Sequence, residues 1–195
     1  MNNNAAILVI DLLNTYDFIG GDTLKDAVRA MIEPVTSLRR EAAAAGVPVI
    51  FVNDNYGRWH DEPSDLIAFV SEGKGADLLP QLKPGPDDFF VIKPESSGFY
   101  ATTLPALLPR LGVSRLVLIG VAADICVLFT AADAHMREYD LWVPRDVVAS
   151  QHEERAHWAL EMMGNGMNAD VRPTSELTLR DWLASDPKVK PGIGG

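Results

Sequence analysis

RLVLIGV at Arg115–Val121, followed at once by AADICVLFTAADAHMREY at Ala122–Tyr139, decides the fold. The first part is a short continuous apolar run after its leading Arg115, the pattern of a strand buried on both faces. The second is helical in pattern and predicts a helix over 124–138 with Asp124 as its N-cap. The same alternation extends outward. Ala5–Asp11 (AAILVID) reads as a strand buried on both faces, and Pro48–Asn53 (PVIFVN) and Phe89–Lys93 (FFVIK) as further strands. Between them Leu24–Ala45 is helical, stops at Gly46 and carries a break near Pro34. Ser64–Ser71 reads as a short helix and Gly73–Asp88 as a long connection, while Thr102–Leu111 is a helix that stops at Gly112. Downstream, Leu141–Pro144 is a short fifth strand and Glu153–Met163 a helix. Asn168–Arg172 is a weaker sixth strand, and Ser175–Leu183 is a last helix. Strands that alternate with helices build βαβ units, hence one α/β domain over residues 1–195 with a mostly parallel sheet covered on both faces.

Composition excludes several classes of function. The 195 residues are 47% hydrophobic and 23% charged, enough apolar material for a real core. Lys+Arg total 17 against 27 Asp+Glu, a net charge of −10 that repels nucleic-acid phosphates and anionic lipid. The expected partner is therefore a small-molecule substrate, with no nucleic acid and no membrane. The N-terminal MNNNAAILVIDLL has no basic region, and its apolar run stops at Asp11, unlike a signal peptide or a membrane span. A single cysteine, Cys126, forbids an intramolecular disulfide and any multi-cysteine zinc site, which fits a reducing cytoplasm.

In a parallel sheet, ligands bind beyond the carboxyl ends of the strands. Asp11 ends the first strand, Lys93 ends the third, and Cys126 follows the fourth in the first turn of its helix. Taken singly, an Asp after a strand is a turn residue, a Lys there is solvated, and a lone Cys is a small buried hydrophobe. Taken together they make a thiol nucleophile. A helix N-terminus and a nearby ammonium both lower a thiol pKa. A carboxylate beside the thiol takes its proton and later delivers it to a leaving amine.

VIDLLNTY with Asp11, FVIKPESSGFYATTL with Lys93 and Phe99, and LVLIGVAADICVLFTAADAHMREY with Cys126 together resemble the three signatures of isochorismatase-like cysteine hydrolases. This superfamily includes nicotinamidases, N-carbamoylsarcosine amidases, ureidoacrylate amidases and isochorismatases. The likeness runs from about Ile7 to Val171. It implies a three-layer Rossmann-like sandwich with a six-stranded parallel sheet of order 3-2-1-4-5-6. It also implies a catalytic triad of Cys126 as nucleophile, Asp11 as proton shuttle and Lys93 as electrostatic partner. A non-proline cis peptide maps to Val121–Ala122, and the N–H groups of Ala122 and Cys126 then form an oxyanion hole.

Two departures bear on chemistry. Metal-using nicotinamidases carry Asp-x-His after the second strand; here Asp54-Asn55-Tyr56 places Tyr56 where the first His belongs, and His60 is a lone neighbour. No metal and no organic cofactor are expected. Ala123 stands where the family commonly has Thr or Ser. Isochorismatases proper lack the cysteine, so Cys126 favours C–N hydrolysis of an amide or ureido group through a thioester. The alternatives are a nicotinamidase with a degenerate metal site, or a binding relative without activity.

Tyr16, Phe18, Tyr56, Trp59 and Phe99, with Tyr100, lie in loops that rim the strand ends and read either as a substrate wall or as satellite core. Arg58 is placed to meet a substrate carboxylate or solvent. His152 and His157 are five residues apart and do not share a helix face, so they form no zincin motif. No GxGxxG or GxSxG follows any strand. Family members are often oligomeric. Trp142 and Trp158, in the late strand and helix, suit either a shared surface or the core. A homodimer or homotetramer is expected, with the tail 186–195 lying on a neighbouring subunit.

Overall fold

The computed structural model describes residues 4–187. A parallel six-stranded sheet forms its centre. The strands are β1 (Ala5–Ile10), β2 (Val49–Asp54), β3 (Phe89–Lys93), β4 (Arg115–Val121), β5 (Asp140–Trp142) and β6 (Val148–Ala149). They run in the order β3-β2-β1-β4-β5, and β6 pairs with β4. The order reverses between β1 and β4, which places a crevice at their carboxyl ends.

The period of two along buried strands sorts residues into two cores. Ala5, Ile7 and Val9 of β1 face one apolar cluster, together with Val117 and Ile119 of β4. Ala6, Leu8 and Ile10 face the other, together with Leu116 and Leu118. Helices α1 (Gly21–Ala30), α2 (Ile32–Ala45) and α8 (Leu179–Ala184) cover the first face. Helices α5 (Leu104–Arg110), α6 (Leu128–Met136) and α7 (Glu153–Glu161) cover the second. Two further helices, α3 (Pro63–Ser71) and α4 (Leu79–Leu82), lie in the β2–β3 connection. Among the described residues, no helix is long and apolar enough to cross a membrane.

Local differences from the sequence expectations have simple causes. The helical break falls at Met31, and Pro34 sits in the first turn of α2, where its missing N–H leaves no bond unmade. The segment expected as the sixth strand makes a single parallel bridge, Trp142 to Asp170. The strand itself is Val148–Ala149, which continues the line of β5 along the upper half of β4. Trp142 is core, its ring centroid 5.8 Å from that of Trp182, whereas Trp158 is exposed on α7. Residues 188–195 of the tail expected on a neighbouring subunit lie outside the described residues.

Candidate active site

Three strand ends converge at the crevice. Asp11 leaves β1 with φ 50, a conformation that Asp tolerates better than most residues. Its N–H donates to Val52 O at 3.1 Å, and its Oδ1 accepts from the Asp54 N–H at 2.6 Å. Both bonds tie it to β2. On its other side Gly120 of β4 pairs with Ile10 at φ 127, and a Cβ there would lie 1.9 Å from Ile10 O, so the close approach needs glycine. The Val121–Ala122 peptide is cis. The chain then makes one wide helical turn, Ala123–Val127, before α6, and Cys126 lies in that turn. Ala122, not Asp124, occupies the N-cap position. The Asp124 N–H instead donates to Ser150 Oγ at 3.2 Å, and the Ser150 hydroxyl donates back to the Asp124 carboxylate.

Lys93 connects the three groups. Its Nζ lies 2.9 Å from Asp11 Oδ2 and 3.4 Å from Cys126 Sγ, and it also donates to Glu95 O at 3.2 Å. A fourth contact, Asp54 Oδ2, is at 3.5 Å. Lys93 is fully buried and Asp11 is 5% exposed. Burial works against the ammonium, but the Asp11 charge beside it holds its pKa above the usual lysine value. Burial raises the Asp11 pKa despite the lowering effect of Lys93. The Cys126 thiol is pushed up to about 12, by burial first and the Asp11 charge second, with Lys93 opposing. The sequence expectation of a lowered thiol pKa is thus corrected: desolvation and a carboxylate outweigh the helix terminus and the ammonium. One proton can pass between Cys126 and Asp11 with no change in net charge.

A cavity of about 270 Å³ opens above these groups, with Asp11, Cys126 and Ala122 in its lining. Phe18 and Tyr56 form part of its wall. The other four aromatics named from sequence do not line it, and of these Tyr100 is exposed. Tyr16 is 1% exposed and turns into the core beneath, because its ring completes the apolar cluster under the loop. Phe99 is 3% exposed and packs between the Tyr139 ring and the Arg137 guanidinium. Trp59 is 74% exposed and lines a separate depression with Arg58. Arg58 itself is ion-paired to Asp61 and lies over the Phe69 ring at 4.8 Å.

A metal centre of the Asp-x-His kind does not fit. The Tyr56 hydroxyl donates to Leu13 O at 2.6 Å, and Asp54 Oδ1 accepts the Tyr56 N–H at 2.7 Å. Among the described residues, no three His, Cys, Asp or Glu side chains are grouped as a metal ion requires.

Sequence reasoning missed the opposite wall. Gln151, His152 and Arg155 line the cavity from the loop after β6 and the start of α7. Placing the sixth strand at Asn168–Arg172 hid them. Had VVA at Val147–Ala149 been read as a strand, the residues after it would fall on the same sheet edge. Asn53 was also missed. It is fully buried, accepts the Leu13 N–H at 3.2 Å and donates to Leu13 O at 3.1 Å, which braces the loop after Asp11. A polar residue closing an apolar strand was its signal.

The Isochorismatase domain family matches residues 5–176. The chain belongs to the isochorismatase family. YaaI of Bacillus subtilis, an uncharacterized isochorismatase family protein, is 35% identical over 172 residues, which span 88% of this chain and 95% of that one. The nicotinamidase SaPncA from Staphylococcus aureus superposes with a TM-score of 0.68 at 28% identity, covering 87% of this chain and 98% of its own. N-carbamoylsarcosine amidase from Thermoplasma acidophilum gives a TM-score of 0.70 at 26% identity, covering 90% and 99%. The isochorismatase family is thus represented here by hydrolases, with amidase and nicotinamidase relatives.

Proposed function

We propose that the protein is a cysteine amidohydrolase that cleaves a C–N bond of a small amide or ureido compound without a metal. The observation that carries this reading is the position of Lys93 Nζ, 2.9 Å from Asp11 and 3.4 Å from Cys126 beneath the crevice. In the first half-reaction the Cys126 proton passes to Asp11 and Sγ bonds to the substrate carbonyl carbon. The carbonyl electron pair moves to oxygen, which the Ala122 and Cys126 N–H groups receive. Lys93 offsets the negative charge as it shifts from carboxylate to sulfur. The tetrahedral centre collapses, the C–N bond breaks, and Asp11 gives its proton to the departing nitrogen. Ammonia or an amine leaves, and a thioester remains on Cys126. In the second half-reaction Asp11 takes a proton from water, whose oxygen attacks the thioester carbon. The C–S bond breaks and the proton returns to Cys126. The product is an acid, or a carbamate where the substrate was ureido.

The raised thiol pKa agrees with this sequence. The thiol and its proposed base lie within the same buried cluster, and burial raises the pKa of both. The test is ammonia release from nicotinamide and from a panel of carbamoyl and ureido compounds, with Cys126→Ala as the control. Turnover of at least one compound is expected, with a loss of ~10³-fold or more in the variant. Activity in Cys126→Ala within tenfold of the parent protein would overturn the nucleophile assignment.

A further inference from the structure

One side of the cavity is bounded by a short stretch of chain with little packing of its own. Tyr16 is buried in the core and α1 begins at Gly21, so residues 17–20 form a tip between fixed ends. The root of the tip is tied down: the Gly75 N–H donates to Thr15 O at 3.1 Å, and Asn53 braces Leu13. The tip itself gains little from burial. Phe18 lines the cavity but is 46% exposed, and Ile19 is 96% exposed. A bond from the facing wall reaches it. Gln151, from the loop after β6, lines the same cavity and donates from Nε2 to Ile19 O at 3.0 Å. The backbone is shaped for this contact. Gly20 has φ 82, and a Cβ there would lie 1.5 Å from Gln151 Nε2 and 2.3 Å from its Cδ, so the carboxamide rests where only glycine leaves room. At the other end of the tip Tyr16 has φ 56, and its buried hydroxyl has no hydrogen-bond partner among the described residues. Both features are costly and persist where neighbours enforce them.

We propose that Gln151 is a positioning residue whose bond to Ile19 O holds residues 17–20 as a lid beside Cys126, open to admit a substrate and closed to set Phe18 against it. Its effect on turnover rests on the proposed hydrolysis at Cys126; the lid itself does not. A single net hydrogen bond changes an opening equilibrium by roughly 2–10-fold, enough to favour the closed form without locking it. With Ile19 in solvent and Phe18 half-exposed, this bond sets how often the tip lifts. The carboxamide carries no charge and takes no part in the proton transfers. Gln151 acts through Ile19 and Phe18, as lid contacts do when closure completes a site.

Iodoacetamide labelling of Cys126 tests the lid without any turnover. Gln151→Ala removes the donor, and Gly20→Ala leaves the donor but puts a methyl group where the carboxamide rests. Each variant is expected to label roughly 2–10-fold faster than the parent protein. The double variant should label no faster than the quicker single one, because both changes break one contact. The gain in Gln151→Ala should be equal at about pH 7 and about pH 9, since access changes and thiol ionisation does not. Its urea midpoint should match that of the parent protein, which separates lid opening from general loosening. On any compound the parent protein hydrolyses, kcat of Gln151→Ala should fall by roughly 2–10-fold, opposite in sign to the labelling. Unchanged labelling in Gln151→Ala, additive gains in the double variant, a gain confined to one pH, or a lowered urea midpoint would each overturn the lid. Faster labelling with kcat untouched would overturn the positioning role. A parent protein that hydrolyses none of the compounds would count against the proposed reaction, and the labelling results would still decide the lid.

Discussion

The Lys93 ammonium, at the end of β3, lies 2.9 Å from the Asp11 carboxylate, just past the end of β1, although β2 runs between the two strands. The lysine stem crosses over the end of β2, and Asp11 Oδ1 is held there by the Asp54 N–H. Three neighbouring strands thus contribute to a single buried ion pair. Its consequences are measurable.

Lys93→Met leaves Asp11 buried beside no cation. Removing one partner of a buried pair costs about 3–5 kcal/mol. The loss depends on pH. Burial already raises the Asp11 pKa, and without Lys93 it rises further. A carboxyl group with a raised folded-state pKa favours the folded state while protonated, and that contribution is lost as pH rises through the folded pKa. The deficit of the variant against the parent protein is therefore largest at neutral pH and shrinks as acid protonates Asp11. Urea denaturation at about pH 7 and about pH 5 checks this, and an equal deficit at both would contradict the burial of the charge.

The thiol pKa of about 12 predicts that iodoacetamide labelling of the parent protein keeps accelerating past the ordinary thiol range, with no plateau near pH ~8.5. Asp11→Asn removes the negative charge that helps raise this value and leaves the Lys93 charge in place. Labelling at about pH 8 should then be faster than in the parent protein, while amide hydrolysis falls by ~10³-fold. Slower labelling in Asp11→Asn would show that the carboxylate does not act on the thiol electrostatically.

Asn53→Ala removes both bonds that brace Leu13. The Leu13 N–H, in a residue with no solvent exposure, is left without that acceptor. The expected cost is about 1–3 kcal/mol, measured by denaturant unfolding. The loop after Asp11 loses its anchor, so kcat should also drop by about tenfold or more. Full activity together with lost stability would separate the brace from the chemistry.

Exhaustive dialysis against EDTA should leave hydrolysis within about twofold of its starting rate, because Tyr56 and Asp54 are engaged with the backbone rather than arranged as metal ligands. A rate that collapses on chelation and returns with a divalent cation would reverse this.

The alternation of apolar strands and helices was legible in the residues alone. AAILVID, PVIFVN, FFVIK and RLVLIGV form four adjacent strands of the sheet, with FFVIK at its edge, because parallel strands carry an unbroken apolar run that few other structures need. Asp11, Lys93 and Cys126 were legible for the same reason: each follows or closes such a run, and the carboxyl ends of parallel strands share one edge. The cavity wall was legible only in part. Phe18 and Tyr56 line it, but Tyr16, from the same loop as Phe18, and Phe99, from the loop after β3, have the same chemistry and were taken into the core. A loop aromatic has no periodicity to say which way it faces. Residues 148–149 show the limit for strands, since two residues carry no pattern and join the sheet only because Gly120 and Val121 offer them a free edge.

The residue sequence by itself determined which groups could do chemistry and on which edge of the sheet they stand, since both follow from local pattern and from the rules of parallel sheets. Only the tertiary structure decided how they act on one another. The thiol pKa rises rather than falls because desolvation and the Asp11 charge depend on what packs around Cys126, which no local pattern records. Arg155 and Arg58 carry the same side chain, yet one lines the cavity and the other pairs with Asp61. The difference lies in neighbours brought together from distant parts of the chain.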